Sequence, residues 1–241
     1  MFSKKVATAT PAPEPVQPTD MVSLRKQASY SLKKNGLEVD GTGGIAVYLV
    51  LDHSVSMRGY YRNGDVQRIT EQALALAVEI DADGEVPVFY FGSEVSDPVI
   101  VSIKDPQSPQ YYQGWVGRTH SRIAWGSTNY TDAIKAVARY HAEHGAGAPG
   151  LVIFQTDGSP DSRPAARQTL VDVSGQSLFF AFVGFGPKEY VDFLFELDEI
   201  AGRTRDNASA FHAVDPQRTL DADLYDGILK EFTGEWLPQV L

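Results

Sequence analysis

Apolar residues follow two alternating rhythms along this chain. Short runs, apolar at nearly every position, stand at residues 45–51, 86–91, 151–155 and 177–183, with a last one at 210–214. Between them, Val66, Ile69, Ala73, Leu76 and Ile80 keep i, i+3/i+4 spacing, as do Ile134, Val137, Ala138 and His141. Near the end Leu220, Leu224, Ile228 and Phe232 recur at helical spacing, while Asp221, Asp223 and Glu231 would face water. The runs predict strands buried on both faces, and the spaced patterns predict amphipathic helices. Their alternation predicts an α/β fold: a doubly wound, mostly parallel central sheet flanked by helices on both faces. Residues 95–116 break the rhythm with short extended pieces and prolines, which predict an edge strand or hairpin followed by a long loop.

Ahead of the first run, the segment 21–36 reads as a helix stopped by Asn35-Gly36. Pro11, Pro13, Pro15 and Pro18 precede it among Ala, Thr, Glu and Gln. Such a stretch buries too little apolar surface to offset its ordering entropy. Residues 1–20 are therefore expected to be a disordered Pro-rich linker, and residues 21–241 one domain. Gly-Thr-Gly-Gly at 41–44 precedes a strand and reads as a flexible connection.

In an open α/β sheet, ligands gather beyond the carboxyl ends of the strands. The first predicted strand ends there in Asp52, Ser54 and Ser56, oxygen-bearing side chains at alternate positions. Thr128 stands in a Gly-Ser-Thr-Asn loop before a predicted helix, and Thr156-Asp157-Gly158 ends another buried run. Short oxygen ligands without sulfur suit hard divalent cations. Few charged ligands and several hydroxyls favour Mg²⁺, with Mn²⁺ or Ca²⁺ as alternatives.

These three pieces resemble the metal-ion-dependent adhesion site of von Willebrand factor A domains. The longer string from Asp52 to Ala77, with Asp-Ala-Asp-Gly-Glu-Val-Pro-Val-Phe-Tyr-Phe-Gly behind it, is similar to the bacterial group found at the C-terminus of TerF-type tellurium-resistance proteins. The resemblance spans residues 21–237. It implies that Ser54 and Ser56 bind the metal through their hydroxyls. Asp52 would act directly or through a water while holding the serine loop. Thr128 would bind directly or through a water, and Asp157 through a water. One coordination position would be left for an acidic side chain of a partner protein. The implied function is a non-catalytic, metal-dependent protein-binding module in bacterial tellurium or stress resistance. Two residues depart from the family pattern. Val55 stands where Gly is usual, and a β-branched residue would be strained there if φ had to be positive. His53 replaces a small or apolar residue and is expected at the rim of the site.

Plainer readings compete with these. Asp52 and the serines could cap the next helix, although residues 58–64 separate them from its apolar pattern. Thr128 could be a cap as well. His141 continues an apolar stripe and His144 lies at a helix end, so the pair reads as structural. Gly184 and Gly186 lack the third glycine of a dinucleotide fingerprint, and Pro187 is expected as a first helical residue. Tyr60, Tyr61, Tyr111, Tyr112, Trp115 and Trp125 fall in or near predicted loops, as packing or as a partner-binding rim. The alternative function is a metal-assisted hydrolase or phosphotransferase. No Gly-x-Ser-x-Gly elbow, P-loop or Asp-x-Asp pair supports it, which leaves a Ser–His pairing through His120 or His212.

Charge narrows the partners. Thirty-one acidic against 21 basic residues give a formal charge of -10, which disfavours nucleic acid and favours cations or basic surfaces. The absence of cysteine excludes disulfides, thiolate metal sites and a thiol nucleophile. No apolar run reaches the roughly 18–20 residues of a membrane span. The N-terminus lacks the apolar core of a signal peptide, so a cytoplasmic location is expected.

Overall fold

The strands β1 (Ala46–Asp52), β2 (Glu85–Phe91), β3 (Val99–Ser102), β4 (Gly150–Thr156), β5 (Leu178–Phe185) and β6 (Ala208–Ala213) form one sheet. Its order is β3-β2-β1-β4-β5-β6, and only β3 runs antiparallel. The structure is a computed structural model that describes residues 20–38, 44–81 and 83–241. The expected Pro-rich linker, apart from Asp20, and residues 41–43 of the glycine-rich connection lie outside the described residues.

Burial on both faces explains why the strand runs are apolar throughout. Val47, Leu49 and Leu51 of β1 enter one core, with Leu24 and Leu32 of α1 (Met21–Lys34), Ile69 and Leu76 of α3 (Asp65–Ile80), and Ile228 of α8 (Asp221–Glu231). Tyr48 and Val50 enter the other, with Val137 of α5 (Tyr130–His144), Leu170 of α6 (Arg163–Val173) and Leu194 of α7 (Lys188–Asp198). The doubly wound architecture expected from the sequence is thus the one observed.

Individual elements refine the sequence reading. The edge strand is β3, paired to β2 as a hairpin, and the long segment after it carries the short helix α4 (Trp115–Thr119). Helix α6 escaped the periodicity reading, although Ser162 caps it and proline lies in its first turn. Pro187 is the N-cap of α7, one position outside the helix. Residues 58–63 are not a spacer: a 3-10 turn, Val55–Met57, leads directly into α2 (Arg58–Asn63). Gly64, with φ 88°, then separates α2 from α3.

The strand order positions the site. From β1 the chain proceeds outward to β2 and β3, then returns across the sheet to β4 on the other side of β1. The loops leaving the carboxyl ends of β1 and β4 therefore diverge, and a crevice opens between them. Asp52 ends β1 and Thr156 ends β4, so two of the three candidate segments flank this switch point.

Candidate metal centre

Asp52 is fully buried, and its carboxylate ties the two strand ends together. One oxygen accepts the Ser54 backbone N–H at 2.7 Å, and the other accepts the Thr156 hydroxyl at 2.6 Å. The first bond folds the loop back so that both serine hydroxyls lie on one side. Ser54 Oγ and Ser56 Oγ are 3.0 Å apart, and Ser56 Oγ donates to Asp157 Oδ1 at 2.8 Å. Neither serine hydroxyl makes a capping bond; Ser54 is the N-cap of the 3-10 turn by backbone position alone.

The Thr128 loop reaches this centre through its backbone. Gly126 N–H donates to His53 O, and Val55 N–H donates to Gly126 O, each at 3.2 Å, forming a short parallel bridge between the two loops. Thr128 is not the helix cap; Asn129 is, accepting the Asp132 N–H at 3.2 Å. Among the described residues, the Thr128 hydroxyl forms no hydrogen bond to Ser54, Ser56 or Asp157. The structure therefore joins Asp52, Ser54, Ser56 and Asp157 through one hydrogen-bond network, with Asp52 entering it at the Ser54 backbone N–H, and brings Thr128 alongside by the backbone bridge.

The electrostatics match a cation site. Burial pushes the Asp52 carboxyl up to about 7, against the hydrogen bonds from Thr156 and Ser54; the nearby Asp157 charge raises it further. Burial also raises Asp157, against the bond from Ser56. Among the described residues neither acid forms an ion pair, so no side-chain cation offsets their desolvation. The donor spacing fits as well. Ligands at about 2.1 Å around an octahedral ion stand roughly 3 Å apart along each edge, as Ser56 Oγ does from Ser54 Oγ (3.0 Å) and from Asp157 Oδ1 (2.8 Å). No group of three His, Asp or Glu side chains suited to a metal occurs among the described residues, and the acids that lie here, Asp52 and Asp157, are joined by serine and threonine hydroxyls.

His53 does not reach the rim. It is fully buried, stacked on Trp125 with ring centroids 3.8 Å apart, and it contacts Tyr61 and Tyr90 edge-on. Its Nδ1 lies 3.2 Å from Ala124 O and its Nε2 lies 3.5 Å from His120 Nδ1. Burial lowers its pKa to about 4, so the ring is neutral at pH 7. Val55 is not strained either. Among the described residues Ala146 is the one non-glycine with positive φ, and Val55 begins the 3-10 turn as a residue 54% exposed. Of the loop aromatics, Tyr61, Tyr112 and Trp115 are buried packing residues, while Tyr60, Tyr111 and Trp125 are partly buried against the same core.

The Ser–His pairing is not formed. His120 faces His53, and His212 Nε2 lies 2.6 Å from Gly186 O. His141 bonds the Tyr48 hydroxyl and His144 stacks on Tyr140, so that pair is structural. Gly184 serves packing, since a Cβ there would stand 2.9 Å from Val191 Cβ.

A family model described as the von Willebrand A domain found at the C-terminus of TerF matches residues 44–240. The chain belongs to this TerF-like von Willebrand A family. A relative in Bacillus subtilis (strain 168), the uncharacterized protein YcbR, is 34% identical over 198 residues, covering 80% of this chain and 77% of its own. Solved von Willebrand A structures share the fold at low identity. A von Willebrand factor type A protein from Catenulispora acidiphila is 17% identical with a TM-score of 0.54, over 81% of this chain and 43% of that one. The TerF-like domain thus spans less than half of that longer chain. The manganese-loaded TRAP protein of Plasmodium vivax is 19% identical with a TM-score of 0.51, over 78% of this chain and 74% of that one.

Two features that matter here, one glycine contact and one acid, were not singled out by sequence. Gly92 and Gly126 approach so closely that a Cβ on Gly126 would lie 2.2 Å from Ser93 N. Asp161 holds the Thr128 loop. The proximity of Gly126 to Thr128 in sequence hinted at the first; nothing in the pattern marked the second.

Proposed function

We propose that this TerF-like domain is a non-catalytic, metal-dependent protein-binding module. Ser54, Ser56, Thr128 and Asp157 would hold a divalent cation, Mg²⁺ in the cell, with Asp52 organising the serine loop from below. The bound ion would supply a Lewis-acidic position for a carboxylate of a partner protein. Because the serines and Thr128 are neutral, the site would keep positive charge with which to attract that carboxylate. The observation that carries this reading is the Asp52–Ser54–Ser56–Asp157 network at the switch point, whose oxygens are spaced for a hard cation. The family kinship supports a role in bacterial tellurium or stress resistance, and among the described residues no helix is long and apolar enough to cross a membrane.

Immobilised wild-type domain should retain specific proteins in Mg²⁺ and release them in EDTA. The Ser54→Ala/Ser56→Ala variant, folded by circular dichroism, should retain none of them. Retention of the same proteins in EDTA, or by the double variant, would refute metal-dependent capture.

A further inference from the structure

The Thr128 loop is gripped from two sides, and the outer grip is a single carboxylate. Asp161 Oδ1 accepts the Thr128 backbone N–H at 3.1 Å, and Oδ2 accepts the Ser127 hydroxyl at 2.6 Å. Its own backbone N–H returns a bond to Thr128 O at 2.9 Å. Three hydrogen bonds thus fix two consecutive residues relative to one acid. On the inner side, Ser127 N–H donates to Ser93 Oγ at 3.0 Å and Asn129 N–H donates to Gly92 O at 3.2 Å. Asp161 itself is anchored, because the next residue, Ser162, caps α6 by accepting the Ala165 N–H.

These bonds use the backbone of Thr128 and leave its hydroxyl out. We infer that Asp161 is the positioning residue that aims the Thr128 hydroxyl at the cation, without being a ligand itself. The inference rests on the metal-binding reading above. Both Asp161 oxygens are engaged by loop donors, so the residue acts through the Thr128 backbone. A latch of this kind limits the rotation of residues 127 and 128 to one orientation, and partners that orient a metal ligand typically change affinity about 10–100-fold when removed. The grip depends on hydrogen-bond geometry more than on charge. Asparagine can reproduce it, with Oδ1 accepting from Thr128 N–H and Nδ2 donating to Ser127 Oγ.

The test measures Mg²⁺ and Mn²⁺ affinity by calorimetry for wild type, Asp161→Ala, Asp161→Asn, Thr128→Val and the Asp161→Ala/Thr128→Val pair. Asp161→Ala should weaken binding about tenfold or more, and Asp161→Asn should stay near wild type. The alanine effect should shrink or vanish in the Thr128→Val background, since the two residues act in series. Amide exchange at Thr128, read by NMR in EDTA, should accelerate in Asp161→Ala and not in Asp161→Asn. Unchanged affinity or unchanged exchange in Asp161→Ala would overturn the latch. An Asp161→Asn loss as large as that of alanine would also overturn it and make the charge itself the cause. A wild type that binds neither cation would instead bring down the metal reading, and the inference with it.

Discussion

Asp52→Asn should abolish divalent-cation binding while raising the melting temperature of the metal-free protein above pH 7. The two effects have one origin. Asp52 is buried in a place where water cannot solvate its charge, and its carboxyl is pushed up to about 7. The unfolded chain titrates it near the ordinary aspartate value of about 3.9. Where the folded pKa exceeds the unfolded one, the folded state holds its proton longer. Stability is then fullest at low pH and is lost as pH rises from about 4 to about 7. Asparagine accepts the Ser54 N–H through Oδ1, turns its Nδ2 as a donor toward Thr156 Oγ1 in place of the bond it accepted from that hydroxyl, and never carries the charge. At pH 8 in EDTA the gain has an upper bound on the order of 4 kcal/mol, read as a melting point several degrees higher. The gain should fade below about pH 4, where both side chains are neutral. Calorimetry with Mg²⁺ and Mn²⁺ measures the first effect, and thermal melts across pH measure the second. Undiminished binding by Asp52→Asn would remove Asp52 from the site.

Gly126→Ala should be the most damaging single substitution around the centre. A Cβ would stand 2.2 Å from Ser93 N and 3.0 Å from Gly92 C, so backbone must move. Gly126 itself forms the bridge that carries Val55 N–H to Gly126 O and Gly126 N–H to His53 O, so a shift of its backbone away from Ser93 disturbs that bridge. A cost of about 3 kcal/mol or more is expected, since overpacking against backbone finds no flexible side chain to yield. Metal affinity should fall with it, because the serine loop and the Thr128 loop would lose their common seam. Denaturant unfolding and calorimetry on the same preparation check both. A variant within about 0.5 kcal/mol of wild type, the range of ordinary surface changes, would show that the seam yields freely.

The contrast between Val55 and Asp161 shows why parts of the centre were legible in sequence and others were not. Asp52, Ser54 and Ser56 were readable because local spacing and a strand end fall together in the five residues from Asp52 to Ser56. Asp157 was readable for the same reason, at the end of β4. The effect of Val55 was not, since its strain depends on φ, and φ depends on the 3-10 turn that the Asp52–Ser54 bond imposes. His53 was read as a rim residue, but its burial depends on Trp125 stacking on it from a loop more than seventy positions away. Asp161 looked like any loop acid, because its partners, Ser127 and Thr128, meet it only across the β4 crevice.

The sequence by itself determined the layered α/β architecture and singled out the candidate oxygen donors. Doubly buried strands must be apolar throughout and surface helices must be amphipathic, so periodicity records both. Tertiary structure decided which side chains act together. It placed β1 beside β4, set Ser56 on Asp157, threaded Gly126 against Ser93 and left the Thr128 hydroxyl out of the loop's own bonds. Those pairings join residues 33 to 104 positions apart. Hydrogen bonds of that range come from how the chain crosses the sheet, and no local pattern of residues encodes the crossing.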